Sequence, residues 1–482
     1  MDALARTERI LWYCLLLVVP VSATPLLPLG EGTLARPLAA YPAALLLLLA
    51  LFRMIVLGQR PRLSRDGFVL LGLFSLYMVA SGLVVVANLP EESFKGQTPL
   101  DAFLRALLTW VTGLAFYVVA RLQIRTSHDA KIALRFLFIG MSVSIAFAGL
   151  QVVAIAQHGE LLRLVQDITD LIAVHYDGLV SRAQGMTFEP SWLATQIIVL
   201  LMPALIARAI AHQEFVGEGS TPGHRLRLAG GFAVAIAGLL FSGSRFGLAA
   251  VIAMLLISAF AAALRGRLAA AFVLVGVLIG GGGGGLAMMS SLGAGAGASY
   301  VTGPIAYLTG WADLSGAEGA DLATGVTDAL ALAGRFAAGE AAGRTFLDHP
   351  VIGVSLGNNY RYFGLYAPEW AFATQLFTNG SKEGVGWLDP NSPEKGNAKN
   401  MILRLLSETG LLGFVLFSLF FLRQIFQGPA RDGYHRYFRL ASFLALGFAF
   451  LNQDSFVDAG LWIPLSLCFV LNQGNRDAPD TV

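Results

Sequence analysis

Charged residues are scarce in this 482-residue chain. Asp, Glu, Lys and Arg make up only 13% of it, whereas 56% of its residues are hydrophobic. A water-soluble domain carries about twice that share of charged residues. The low charge and the mean hydropathy of +0.66 therefore exclude a soluble globular protein and indicate an integral membrane protein.

Cysteine is also scarce. Cys14 and Cys468 both lie in apolar runs, so no disulfide is expected to link the loops, and no thiol pair indicates a metal or redox site. We expect small apolar packing roles for both. We also expect no metal, no cofactor and no nucleic-acid partner.

Long apolar runs, in contrast, are abundant. A helix needs about 20 apolar residues to cross a bilayer. Twelve runs approach that length, and they are 10–29, 38–57, 67–87, 103–122, 133–157, 191–211, 229–243, 246–264, 268–289, 400–423, 438–452 and 459–472. The first run is alternatively a signal peptide, because Arg6 and Arg9 precede it and Val21-Ser22-Ala23 resembles a cleavage site.

The basic residues support this count of spans. They cluster in alternate short connections, whereas acidic residues concentrate in the others, and loops left in the cytoplasm hold the excess of Lys and Arg. The basic connections contain Arg53, Arg60, Arg62, Arg65, Arg121, Arg125, Lys131, Arg225, Arg227, Arg265, Arg267, Arg431, Arg436 and Arg439. The sequence therefore predicts an all-α polytopic protein of about twelve transmembrane helices with both termini cytoplasmic.

Two outer connections are too long to be simple turns. Residues 158–190 place apolar residues at helical spacing, which predicts a helix lying in the membrane interface. Residues 290–398 form a large loop between helices 9 and 10. The predicted domains are thus 1–289 with helices 1–9, 290–398 as the loop domain, and 399–482 with helices 10–12 and a short tail.

Arginines on the outer side are the first candidates for binding. Arg245 follows Ser242-Gly243-Ser244 at a hairpin between two spans, where an unpaired guanidinium is costly unless it binds an anion or reaches lipid phosphate. In the large loop, residues 326–348 are predicted to be a helix. Arg335 and Arg344 then point to opposite faces, nine positions apart. Arg344 has Glu340 four residues away and is expected to pair with it, whereas Arg335 has no such partner and is the better anion ligand.

Further polar residues stand at the mouths of two spans. Arg182 precedes Glu189. A Glu at that helix entrance either interacts favourably with the positive end of the helix dipole or acts in catalysis. Lys399 and Asn400 occupy the matching position at the tenth span, where Lys399 is either an interfacial anchor or a catalytic amine. Glu408 and Arg404, four residues apart, are expected to pair. Several cations on the outer side suit a lipid-linked pyrophosphate.

These residues resemble a known family. The chain combines Ser242-Gly243-Ser244-Arg245 at a hairpin, Gly334-Arg335 ahead of His349-Pro350-Val351-Ile352-Gly353, and Asn400 followed by Glu408-Thr409-Gly410-Leu411-Leu412-Gly413. Over about residues 130–425 this order is similar to the O-antigen ligase and Wzy-type polymerase superfamily. The resemblance implies a bacterial inner-membrane enzyme with a periplasmic active site.

The resemblance also implies a reaction. It is a metal-independent, inverting glycosyl transfer, in which a glycan on undecaprenyl pyrophosphate moves to an acceptor hydroxyl. Arg245 and Arg335 would hold the donor pyrophosphate, with Arg182 beside them, while Asn400, Arg344 and Glu408 would support the acceptor side. The family usually has His-Asn where this chain has Lys399-Asn400, so the acceptor's base is either Lys399 or Glu189.

Three functions stay open at this point. A polymerase would use another lipid-linked repeat as acceptor, and the Arg182 to Trp192 stretch resembles that branch. An O-antigen ligase would use lipid A core instead. A flippase of lipid-linked sugars would also need a cationic cavity, although proton-coupled transporters usually bury carboxylates near the membrane centre and no predicted span has one there. Membrane lipids, a chain-length regulator or a flippase are the further partners expected.

Overall fold

The protein is a bundle of membrane helices. The computed structural model describes residues 2–25, 36–59, 65–173, 182–211, 222–267, 271, 274–277, 335–368, 371, 387, 395–428, 430 and 432–473. These residues form helices and no β-strand, and seven of their helices are long and apolar enough to cross a membrane. The composition's prediction of a polytopic helical membrane protein is confirmed.

The helices follow the apolar runs closely. In chain order they are α1 (Asp2–Val18), α2 (Ala40–Ile55), α3 (Arg65–Asn88), α4 (Pro99–Gln123), α5 (Ser127–Gln157), α6 (Gly159–Ile172), α7 (Pro190–Gln196), a π-helical turn (Ile197–Leu201), α8 (Met202–Ala211), α9 (Pro222–Ser242), α10 (Arg245–Ala263), α11 (335–348), α12 (Tyr360–Tyr366), α13 (Met401–Phe426), α14 (Gly433–Asn452) and α15 (Ala459–Gln473). The seven long apolar helices are α3, α4, α5, the continuous helix from α7 to α8, α9, α10 and α13. Most of the predicted ninth span (268–289), the glycine run within it and residues 290–334 of the predicted loop domain lie outside the described residues.

Several predicted helix boundaries were wrong. The first run was predicted to be helical to residue 29, but α1 ends at Val18, since Pro20 lacks the N–H that helix continuation requires. Helices α4 and α5 begin before the predicted residues 103 and 133, because Thr98 and Thr126 each form a capping box with an Asp three residues later. The caps extend both helices past the apolar run and into charged sequence.

The amphipathic segment predicted within residues 158–190 contains α6. Val165 and Thr169 are buried in it, and Thr169 accepts a hydrogen bond from Gln151 of α5 at 3.2 Å. Leu164 and Leu171 are exposed on the other side. The helix is confirmed, whereas its location in the membrane interface stays a prediction.

An aromatic cluster joins α4, α15 and the connection before α15 in the core. The Trp110 ring of α4 lies 5.3 Å from Trp462 of α15 and 5.2 Å from Phe456, both edge-to-face. Gly113 allows this approach, since a Cβ there would lie 2.3 Å from the Phe456 carbonyl oxygen. The Trp462 indole also donates to that carbonyl at 2.7 Å. The cluster thereby fixes residues 453–458, which connect α14 to α15.

A glycine kink divides α13. Gly410 has φ 63° and ψ −173°, a backbone conformation that is essentially restricted to glycine. The kink interrupts the helical hydrogen bond between the Leu411 N–H and the Ser407 carbonyl, and residues 350–354 satisfy both groups. Leu411 N–H donates to Pro350 O at 2.8 Å, and Val354 N–H donates to Ser407 O at 2.9 Å.

Two glycines make this docking possible. A Cβ at Gly353 would lie 2.5 Å from the Glu408 carbonyl carbon, and a Cβ at Gly410 would lie 2.3 Å from the Val351 oxygen. Tyr77 of α3 completes the contact, because its hydroxyl donates to Thr409 O at 2.8 Å. Residues 350–354, called here the docking turn, therefore attach α11 and α12 to the membrane bundle.

We expect Gly410→Ala to lower the melting temperature of the purified protein. A side chain at this φ and ψ, pressed on the docking turn, should destabilise the fold by about 1–3 kcal/mol. The control is Gly364→Ala in α12, where a Cβ meets no heavy atom within 4 Å. Melting is measured by tryptophan fluorescence in detergent. Equal melting temperatures for these two variants would contradict the docking role of the kink.

Candidate functional site

The candidate residue Arg245 begins α10 directly after a tight turn. Ser244 caps the helix by accepting the Gly247 N–H at 3.1 Å. Gly243 has φ 56°, and a Cβ there would lie 3.2 Å from Cδ of Arg182. The aliphatic part of Arg182 therefore packs over this turn, and Arg182 is exposed. Because Gly243 is two positions before Arg245, the structure places Arg182 against the turn that leads into Arg245.

Residues 182–189 are held in place by buried polar side chains. The Gln151 amide oxygen of α5 accepts the N–H groups of Gln184 and Gly185 at 3.0 and 2.8 Å. The segment ends at Glu189, whose carboxylate accepts the Ser191 hydroxyl at 3.0 Å. Glu189 thus lies at the start of α7, where the sequence placed it, and makes no side-chain cap bond to the helix backbone.

Arg335, at the first described position of α11, reaches the bundle. Its guanidinium donates to the Asn452 side-chain oxygen at 3.0 Å, and the Asn452 amide donates to the Thr195 hydroxyl of α7 at 3.1 Å. Asn452 is the last residue of α14 and is buried. These two bonds connect α11, α14 and α7.

The same part of α7 contacts the first turn of α10. A Cβ added at Gly247 would lie 2.7 Å from the Cβ of Ala194, which precedes Thr195. Phe246, the neighbour of Arg245, lies 6.4 Å from Phe448 of α14 in an edge-to-face arrangement. Arg182, Arg245 and Arg335 therefore lie at one end of the bundle, called here the Arg245 end.

Lys399 and Asn400 come to the same end. Asn400 caps α13 by accepting the N–H groups of Ile402 and Leu403 at 2.9 and 3.1 Å. Lys399 has φ 50°, which is uncommon for a residue with a side chain, and its N–H donates to the Asp454 carboxylate at 3.1 Å. Asp454 lies two residues beyond Asn452, the residue that binds Arg335.

Asp454 is the neighbour that the sequence analysis did not single out. Its carboxylate contacts the backbone of Lys399, and its carbonyl oxygen accepts a hydrogen bond from Arg404. The only sequence signal was its place in the short connection between two predicted spans. That signal did not link it to Lys399, which is distant in the chain.

Two other candidates have structural partners. Arg344 is exposed and pairs with Glu340 at 2.5 Å, so it does not reach Asn452 with Arg335. Glu408 is buried and pairs with Arg404 at 2.9 Å, which confirms the predicted pairing. Among the parts of the chain that the structure describes, no group of three or more His, Cys, Asp or Glu side chains is placed to hold a metal ion.

The Arg245 end can hold an anion chemically. Guanidinium groups bind phosphate oxygens through paired N–H donors, and Arg335 sits on a neutral amide that orients it without neutralising its charge. The Lys399 side chain is exposed at the same end, where its backbone N–H donates to the Asp454 carboxylate. Glu189 lies at the start of α7, the helix that carries Thr195.

Comparisons with protein-family models and with curated proteins found no match to the chain.

Asp458 provides a test of how the 453–458 connection is packed. One of its oxygens accepts the Gly460 N–H at 2.8 Å, and burial raises its pKa from 3.8 to about 6. An acid with a raised folded-state pKa keeps its proton more tightly when folded. Its contribution to stability is therefore greatest below about pH 4 and is lost as the pH rises through about 6.

We expect Asp458→Asn to melt at a higher temperature than the parent protein at pH 8, with the difference shrinking toward pH 4. The exposed Asp167→Asn is the control and should change the melting temperature little at either pH. A difference in melting temperature between Asp458→Asn and the parent that stayed the same from pH 4 to pH 8 would contradict this account of Asp458.

Proposed function

We propose that this protein is a membrane glycosyltransferase that polymerises surface polysaccharide from an undecaprenyl-pyrophosphate-linked glycan. Its site would be the Arg245 end, facing the periplasm of a bacterial inner membrane, with both termini cytoplasmic. The acceptor would be another lipid-linked glycan. The proposal joins the helical membrane fold, the cations at one end of the bundle, and the resemblance to the ligase and polymerase superfamily.

The arrangement around Asn452 is the observation that carries this proposal. Arg335 comes from the loop region and Arg245 from a membrane hairpin, yet both lie beside α7, through Asn452–Thr195 and through Gly247–Ala194 respectively. Guanidinium groups that reach one end of the bundle from separate segments can together bind the oxygens of a single anion. A diphosphate at the end of a membrane lipid supplies such an anion.

The chemistry needs these charges on the leaving group. The acceptor hydroxyl oxygen attacks the anomeric carbon, the bond from that carbon to the pyrophosphate oxygen breaks, and undecaprenyl pyrophosphate leaves with the electron pair. Arg245 and Arg335 would stabilise the negative charge that develops on the departing oxygen. Arg182, exposed at the same turn as Arg245, would bind the outer phosphate.

The acceptor proton needs a base. Lys399 stands where the family that the sequence resembles has histidine, and the Asp454 carboxylate accepts a hydrogen bond from its left-handed backbone. A backbone held in an unfavourable conformation is common at functional sites. Lys399 would take the proton, with Glu189 as the alternative base and Asn400 holding the start of α13 beside them.

Arg335→Ala and Arg245→Ala should each reduce transfer by about 100-fold or more, the usual effect of removing one such electrostatic group. The assay is purified protein with undecaprenyl-linked repeat units, followed by gel separation of the glycans. Arg344→Ala is the matched control, because Arg344 lies on the same helix and is paired with Glu340. Full activity of Arg335→Ala would refute the pyrophosphate site.

The same assay separates the candidate functions. A ladder of longer glycans from repeat units alone indicates a polymerase, whereas transfer only after lipid A core is added indicates an O-antigen ligase. Movement of the lipid-linked glycan across the membrane of proteoliposomes, without formation of new glycosidic bonds, would indicate a flippase and overturn the proposal.

Lys399→His should keep activity but move the acidic limb of the pH–rate profile to lower pH, since histidine loses its proton at a lower pH than lysine does. Lys399→Ala should lose activity. Glu189→Gln, measured in parallel, should keep the parent profile. If both Lys399 variants behaved like the parent and Glu189→Gln was inactive, the base would be Glu189.

A further inference from the structure

A concave surface lies away from the Arg245 end. A cleft of about 380 Å³ opens between the last turn of α3 and the docking turn. Val84 and Asn88 of α3 form one wall, and His349, Val351, Ile352 and Tyr362 form the other. None of the residues proposed for the transfer reaction lines it.

One part of the cleft is apolar and open. Val84 and Val351 are more than half exposed, at 58% and 57%. Ile352 lies beside them and is also exposed. The docking of residues 350–354 onto the kink of α13 holds these side chains outward, so this apolar surface is a fixed part of the fold.

The Tyr362 ring lines the other part of the cleft, and the Tyr366 ring lies beside it. Tyr362 and Tyr366 are one helical turn apart on α12, with ring planes nearly parallel at 8° and centroids 6.4 Å apart. The His349 ring meets Tyr362 at 5.3 Å. The Tyr366 hydroxyl donates to the Asp348 carboxylate at 2.5 Å, and this bond raises the pKa of Tyr366 to about 12. Asp348 thereby fixes the orientation of Tyr366, whose ring is nearly parallel to that of Tyr362.

Polar groups in the cleft keep hydrogen-bonding capacity. Within the described residues, the Tyr362 hydroxyl and the His349 imidazole make no hydrogen bond. The Asn88 amide donates to Val84 O at 2.7 Å, which leaves its carbonyl oxygen to accept another. Aromatic faces with a few convergent donors and acceptors are the surface that a sugar ring requires, because a pyranose has apolar C–H faces and hydroxyls at its edge.

We propose that this cleft binds pyranose rings of a glycan chain, as a subsite remote from the transfer chemistry. Naming the bound chain as the protein's own product rests on the proposed function. Helix α11 connects the two places: Arg335 is at its first described position and His349 follows its end, about 20 Å away at 1.5 Å per residue. A chain with one end at Arg335 can therefore extend along α11 and place later sugars against Tyr362.

The direct test is binding of oligosaccharides that are released by mild acid from the source bacterium's own surface polysaccharide. These oligosaccharides are titrated into the full-length protein in phosphatidylcholine nanodiscs, and saturation-transfer NMR measures their affinity. Tyr362→Ala should weaken binding by about 3- to 10-fold, the range of one aromatic contact. Leu365→Ala is the matched control on α12, since Leu365 is 77% exposed and does not line the cleft.

The outcomes separate this inference from the proposed function. Equal affinity of the parent and Tyr362→Ala overturns the glycan subsite, as does native mass spectrometry showing a phospholipid that Tyr362→Ala releases. A single transfer from a one-repeat donor should be unchanged in Tyr362→Ala, because that reaction uses Arg335 and Arg245. Binding that depends on Tyr362 in a protein with no transferase activity would support the subsite and reject the proposed function.

Discussion

The contact between the docking turn and the kinked helix α13 is the constraint on which the rest of this structure depends. A helix broken at Gly410 exposes the Ser407 carbonyl and the Leu411 N–H, and an unpaired backbone group of either kind is unfavourable inside a membrane protein. Residues 350–354 satisfy both groups. This contact needs glycine in both segments, because a Cβ at Gly353 or Gly410 would overlap the opposing backbone.

This contact sets the position of both candidate surfaces. Helix α11 runs directly into the docking turn, so the attachment of that turn to α13 places Arg335 against Asn452 at the other end of α11. It also holds Val351 and Ile352 open to the cleft. On the bundle side, the Trp110–Phe456–Trp462 cluster fixes the connection that carries Asp454 next to Lys399. The Arg245 end is thus built from segments that are each held by the core.

Much of the fold could be predicted from the sequence, because apolar runs long enough to cross a membrane must satisfy their own backbone hydrogen bonds and therefore form helices. Local spacing also predicted correctly that Arg404 pairs with Glu408, and that Arg344, unlike Arg335, pairs with Glu340. The starts of α4 and α5 were missed because capping boxes extend a helix into charged residues. Asp454, the docking turn and the cleft were missed because they join residues far apart in sequence, and no local pattern reports such contacts.

The central claim is that Arg245 and Arg335 bind one diphosphate. The most direct measurement is a cryo-electron microscopy structure of the protein in nanodiscs with undecaprenyl pyrophosphate. We predict phosphate density within about 3 Å of both guanidinium groups, with the prenyl chain leaving beside α7 and α10. Phosphate density elsewhere on the protein, with Arg335 still bonded only to Asn452, would contradict the account.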